Sequence, residues 1–287
     1  MSYLDYFLEL LKIKLINTGF VKEDEIKNYG VSCERKNFFT GMSNKTKEEY
    51  KNGDGKELES GDFKRIRSSA AMIFNLLGNE EVVIKSNSYL PSGKYKKEFE
   101  KKLKTVKRSG KKANLDAWLY NETCEVFIES KCLEWLQRSN KPLKEAYTKN
   151  TTRYYFPETA ELFREIGNEI LLSQYDSCQM FRHTLAIYNY LKDSKNQLLN
   201  KKIYLVNVVW EPDEKELPEE IRLIYRDQLS LEHSEFGLFY KKMKPIIDEI
   251  NKLPDITFDI IYLSVKDFYS MLVYSDEEQK AFVQRYL

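Results

Sequence analysis

Three residues have the types and the spacing for metal-assisted hydrolysis: Asp116, Glu129 and Lys131, all within ANLDAWLYNETCEVFIESKCLEW at 113–135. Two strand-like runs flank Asn121, Glu122 and Thr123, which suit a tight turn. Folding about the point between Glu122 and Thr123 sets Asp116 opposite Glu129. Paired residues on one face of an antiparallel ladder have Cβ atoms about 4.5–5.5 Å apart. Lys131 is two residues past Glu129, so it projects to the same face. Like charges placed opposite each other weaken a strand pair, and burying them unpaired costs several kcal/mol. A divalent cation resolves the conflict. Mg²⁺ takes hard oxygen ligands, commonly one or two carboxylates, with water and phosphate completing the shell. Lys131 would position the attacking water and offset charge on a phosphate. The plain alternative is that Glu129 and Lys131 are exposed strand residues, or that Lys131 simply pairs with one of the acids.

The hairpin resembles the metal-binding and catalytic motifs of the PD-(D/E)XK nuclease superfamily, the restriction-endonuclease-like fold. ANLDAWL is similar to the motif that supplies a metal-binding Asp, and FIESKCLEW to the E-x-K motif. With RSSAAMIFNLLG at 67–78 and DSCQMFRHTLAI at 176–187, the likeness extends discontinuously from Phe63 to Phe268. It points to a group of restriction endonucleases within that superfamily. The resemblance implies a mixed β-sheet flanked by α-helices, with Asp116 and Glu129 on Mg²⁺ (Mn²⁺ as a substitute) and Lys131 as the catalytic lysine. It also implies that Gln179, on the helix after E-x-K, lies at the site. An additional acid is expected from the preceding segment, and Glu100, Glu98 and Glu81 all compete for that place.

Secondary positions carry both readings. His183 lies four residues after Gln179 and either faces the site or is a satisfied core histidine. Ser68, Ser69 and Asn75 either shape a wall of the site, as the resemblance suggests, or pack as small and polar residues on a helix. Glu134 either reaches the metal through water, holds Lys131, or is an exposed acid. The segment Lys94–Lys112 carries ten Lys or Arg against two Glu, enough to hold a phosphate backbone. Its alternative is a solvated helix face or lysine-rich loop. TTRYYFPETAELF at 151–163 could stack on bases, but core packing is the default use of its aromatics.

The elements that must position these residues alternate along the chain. A helical rhythm covers 3–19, and 40–60 reads as a polar loop or linker. A second helix spans 63–77 and ends at Gly78. Strands are expected at 81–85, 113–120 and 124–132. Two helices fill 158–192, and 218–251 is largely helical. KIYLVNVVW at 202–210 and ITFDIIYLSV at 256–265 read as strands covered on both faces. This is a layered α/β pattern. Residues 1–60 form an N-terminal helix and polar loop packed on a main domain at 61–287. The chain of 287 residues is 42% hydrophobic and 14% aromatic, which excludes a disordered protein. No run approaches the roughly 20 apolar residues of a membrane span, so a cytoplasmic protein is expected. Cys33, Cys124, Cys132 and Cys178 lack C-x-x-C spacing and read as free thiols. The net charge of +1 gives no global pull toward nucleic acid. A nuclease acting on DNA is the expectation. The alternatives are a catalytically inactive nuclease-fold protein that binds nucleic acid or a partner, and a hydrolase of small phosphoesters. A homodimer is an open expectation, since no heptad or interface stripe stands out.

Overall fold

The turn at Asn121 closes as its residues dictate. Its backbone N–H donates to the Cys124 carbonyl at 2.9 Å, and its Oδ1 accepts from the N–H groups of Thr123 and Cys124. In the computed structural model, which describes residues 2–53, 57–78, 81–107, 112–137, 140–193, 200–274 and 276–287, this turn sits inside a six-stranded sheet. A separate ribbon pairs β1 (Ile26–Lys27) with β2 (Gly30–Val31). The main sheet places β3 (Val82–Ile84), β4 (Gly93–Lys104), β5 (Lys112–Tyr120), β6 (Cys124–Lys131), β7 (Lys201–Val209) and β8 (Ile256–Ser264) side by side in that order. The first four are antiparallel to one another, whereas β6, β7 and β8 are parallel. The apolar run of β7 lies in the parallel half with both faces covered, whereas β8 is the edge strand and differs from the expectation: Ile256, Phe258 and Ile260 are buried, and Thr257, Asp259 and Ile261, alternating with them, are exposed or half-buried.

Helices flank this sheet: α1 (Tyr3–Asn17), α2 (Asn44–Asn52), α3 (Glu57–Ser60), α4 (Ser69–Leu77), α5 (Glu145–Thr148), α6 (Pro157–Glu169), α7 (Ser177–Asp193), α8 (Glu219–Ile250), α9 (Val265–Ser270) and α10 (Asp276–Tyr286). The expected mixed α/β sheet between helices is what forms. One core joins α1, α4 and α10 to Val126, Ile128, Val206 and Val208. The other joins α6, α7 and α8 to Phe127, Leu205, Phe258 and Ile260. Alternate apolar residues of β6 and β7 serve opposite cores, while Glu125, Glu129, Ser130 and Asn207 are buried polar residues on the same two strands.

Three further expectations are corrected. The polar stretch 40–60 is not a loop but contains α2 and α3. Ser43 accepts the Thr46 N–H at 3.1 Å as an N-cap, and buried Tyr50 stacks on Phe99 at 5.2 Å. One buried aromatic gives an otherwise polar helix its anchor. The helix expected over 63–77 begins only at Ser69, because the Ser68 hydroxyl accepts the Ala71 N–H and caps it. The lysine-rich run from Lys94 is neither a helix face nor a loop but the long strand β4. Buried Tyr95, Lys97 and Phe99 alternate with exposed Lys94 and Lys96 and half-buried Glu98, the period of two that a half-covered strand needs, although one of the buried residues is itself a lysine. Arg108–Lys111 lie outside the described residues.

The strands β4 and β5 change sides along their length. Tyr95, Phe99, Ala117 and Leu119 belong to the first core, yet Leu103, Leu115 and Ala113, in step with them, belong to the second. The change falls at Asp116 and at Glu100, which lies between the pairs Phe99–Ala117 and Lys101–Leu115. Glu100 has φ +56°, a left-handed conformation that costs a non-glycine residue free energy and clusters at functional sites.

Candidate active site

The pairs Ala117–Ile128 and Trp118–Phe127 have the expected register. The ladder ends there, however, and Asp116 does not lie flat against Glu129. Its Oδ2 accepts from the Ser130 N–H at 2.6 Å and from the Ser130 hydroxyl at 2.7 Å. The side chain thereby replaces the backbone pairing that the splayed strands lose. Among the described residues, no donor other than Ser130 bonds the Asp116 carboxylate. Burial pushes the Asp116 carboxyl well above its ordinary value, and the nearby charges of Glu129 and Glu100 push it further. Lys131 and the Ser130 bond offset only part of this.

Glu129 is 3% exposed and held from three sides. Oε1 accepts from Lys131 Nζ at 2.6 Å and from Gln179 Nε2 at 2.7 Å. Oε2 lies 3.0 Å from His183 Nε2. Burial alone raises this carboxyl, but Lys131 and His183 more than offset it and bring it down to about 2. Lys131 Nζ also donates to Gln179 Oε1 at 2.7 Å and stands 3.8 Å from Asp176 Oδ2. The sequence-derived residues Glu129, Lys131, Gln179 and His183 are therefore one hydrogen-bonded cluster, with Asp116 and Glu100 beside it. His183 is both of its readings at once: a core residue, 2% exposed, and a partner of the central carboxylate.

The cluster depends on α7, whose spacing places Gln179 and His183 on one face. Asp176 Oδ1 accepts the Gln179 N–H at 3.1 Å and caps the helix. Before it, Glu235 of α8 accepts the backbone N–H groups of Ser173, Gln174 and Tyr175 at 3.1, 2.7 and 2.8 Å. Asn140 donates to the carbonyls of Leu172 and Tyr175. Sequence reasoning missed Asp176 and Glu235. An Asp three residues before Gln179 is a helix-start signal that could have found the first, whereas nothing local marks the second.

Other candidates are placed elsewhere. Glu134 does not hold Lys131; it is exposed, accepts the Cys132 N–H at 2.7 Å and bonds the Ser69 hydroxyl. Ser69 Oγ also accepts from Cys132 N–H at 3.1 Å, and its carbonyl accepts from the Ser130 hydroxyl, so Ser69 ties α4 to the end of β6. Asn75 does not line the site: it accepts the Phe39 N–H and donates to the Asn37 carbonyl. Glu98 pairs with Lys101, and Glu81 is exposed ahead of β3. Glu100 is buried and receives a bond from the Asn114 amide. Along the basic run, Lys97 is buried and donates to the Leu77 carbonyl, and Lys101 lies over Trp118, so neither is available to phosphate. Tyr154 and Phe163 are core residues, whereas Tyr155 lies near Lys104 and Lys107. All four cysteines are free, and three are buried.

Among the described residues, no three His, Cys, Asp or Glu side chains gather closely enough to cage a metal unaided. Two carboxylates with open lone pairs suit instead a cation that keeps water and substrate oxygens. Also among the described residues, no helix is long and apolar enough to cross a membrane. The family model described as "Restriction Endonuclease associating with ARP" matches residues 16–287. No curated protein and no solved structure matches the chain.

Proposed function

Since the chain belongs to the family of restriction endonucleases associating with ARP, we propose that it hydrolyses phosphodiester bonds in DNA, with Mg²⁺ held by Asp116 and Glu129. The observation that carries this reading is the acid cluster itself. Asp116 is pushed up by burial, Glu129 and Glu100 together, a repulsion that a divalent cation relieves. Asp116 offers Oδ1, and Glu129 keeps acceptor capacity on Oε2 beyond its bond to His183. When bound, the cation supplies Lewis acidity and lowers the pKa of a water on it.

The chain's own residues divide the remaining work. Lys131 neutralises Glu129 and offers its ammonium to a phosphate oxygen. Gln179 bonds both Lys131 and Glu129, so it fixes the ammonium against the carboxylate. His183 holds the other oxygen of Glu129. Glu100, buried and acting on Asp116 through its charge, is the additional acid this reading favours, placed to reach the cation through water and not as a direct third ligand. The family description names ARP as an associate, and we carry that association over as a partner of this chain.

Purified protein should nick DNA with Mg²⁺ or Mn²⁺, and Lys131→Ala should lose at least about 100-fold in rate, the scale for a group that stabilises transition-state charge. Retention of the far-ultraviolet spectrum would show that the variant folds. A second reading, an inactive binding module, draws on one observation: Lys131, Gln179 and His183 already engage both oxygens of Glu129. DNA binding without cleavage under any divalent cation would favour it and overturn the catalytic assignment.

A further inference from the structure

The long helix α8 leaves a row of aliphatic side chains uncovered. Ile224, Leu231 and Leu238 are 47%, 42% and 44% exposed, respectively. They are seven residues apart and so lie on one stripe of the helix. The same stripe starts at Glu220, four residues before Ile224, and ends at Lys242, four residues after Leu238. Its ends are thus an acid and a base, and between them three aliphatics alternate with polar positions that include Asp227 and Glu235. Glu220 makes no ion pair among the described residues, and Lys242 reaches only Glu169, at 3.7 Å.

This order is self-complementary when reversed. Laying a second α8 antiparallel across Leu231 sets Leu231 on its own copy and Ile224 on Leu238. It also sets Glu220 against Lys242 at both ends. A two-fold axis requires this kind of pairing, in which each residue meets the counterpart of its partner. From Glu220 to Lys242 the helix is roughly 33 Å long, enough for three apolar layers between two charged ends. One like-charge meeting arises, Asp227 near Glu235, and it is blunted because Glu235 is occupied by three backbone N–H groups.

We infer that this stripe of α8 is the contact between two copies of the chain, paired antiparallel about Leu231. The inference does not depend on the proposed chemistry, although its placement links the two. Glu235, which holds the loop leading to Asp176, lies on α8 between Leu231 and Leu238. Pairing of two α8 helices would steady that loop in both copies.

Sedimentation velocity of the full chain tests the pairing, with dimer expected at concentrations up to about 100 μM. Glu220→Lys should weaken association about tenfold, as two exposed attractions become repulsions. The double variant Glu220→Lys with Lys242→Glu should restore it, which neither a folding defect nor a different partner surface would do. In a Cys33→Ser background, Leu231→Cys should form a disulfide-linked dimer on mild oxidation, far faster than Val283→Cys at another exposed site. Sedimentation of the wild type as a monomer throughout, or equal cross-linking at both positions, overturns the inference.

Discussion

The strongest single test of how the site is positioned is Glu235→Gln. The carboxylate takes four donors: the N–H and hydroxyl of Ser173 on Oε1, and the N–H groups of Gln174 and Tyr175 on Oε2. An amide keeps the size but presents one acceptor and one donor. Placing its oxygen toward Gln174 and Tyr175 leaves Ser173 N–H facing an NH₂ group. Two charge-assisted bonds also become neutral ones. A charged bond is worth about 1.5–3 kcal/mol and a neutral one about 0.5–1.5, so a loss of about 2 kcal/mol is expected at this partly exposed site. The loss is local, because the bonds hold a loop and not the sheet. Amide exchange at Gln174 and Tyr175 should therefore accelerate about 30-fold at neutral pH, with far smaller changes in β6. The pH dependence has a definite sign. Burial raises the Glu235 carboxyl, but the Ser173 hydroxyl and the three backbone donors more than offset this and hold it below the ordinary glutamate value. A depressed carboxyl contributes stability above its unfolded value and loses it as pH falls through the folded one. The gap between wild type and variant should close on acidification. Unchanged protection at neutral pH, or a gap that persists in acid, would refute this account of the loop.

Further expectations concern the cluster directly. Mg²⁺ at about 100 times its dissociation constant should stabilise the protein by about 2.7 kcal/mol, and thermal denaturation should show that Asp116→Asn abolishes the effect. His183→Ala leaves Glu129 Oε2 buried without its partner and should cost about 1–3 kcal/mol in urea titration, whereas His183→Gln, able to restore a bond, should cost less. A Cβ at Gly53 would run into the Glu100 carboxylate, so Gly53→Ala should cost about 1–3 kcal/mol and displace Glu100 from Asn114; a crystal structure with Glu100 unmoved would contradict this.

Much of this arrangement was legible because it is local. A tight turn and alternating strands gave the register around Asn121, and helical spacing put Gln179 and His183 together. The apolar run of β7 announced a covered strand, whereas that of β8 belongs to an edge strand with one face half-exposed. What escaped sequence reading is non-local. The lysines of β4 concealed a strand because Lys97 and Lys101 fall in step with Tyr95, Phe99 and Leu103 and erase the apolar alternation; that Lys97 is buried emerges only in the fold. Tyr50 converts a polar stretch into helix through contacts with distant Phe63 and Phe99. The break in pairing at Asp116 coincides with the left-handed Glu100 on the neighbouring strand, a conformation that no residue type there signals. Glu235 lies about sixty residues from the loop it holds. The stripe on α8 has heptad spacing, but with one aliphatic per heptad it passes for scattered surface until exposure is known.

The crossing of β4 and β5 from one core to the other has a consequence for the site. Each of these strands is apolar on one side along its first part and on the other side along its second, so neither helical layer alone can cover it. The acids stand where the sides exchange. Removing either layer would leave half of each strand wet. The acids thus stand at the seam between the two helical layers, and their positions depend on the packing of both.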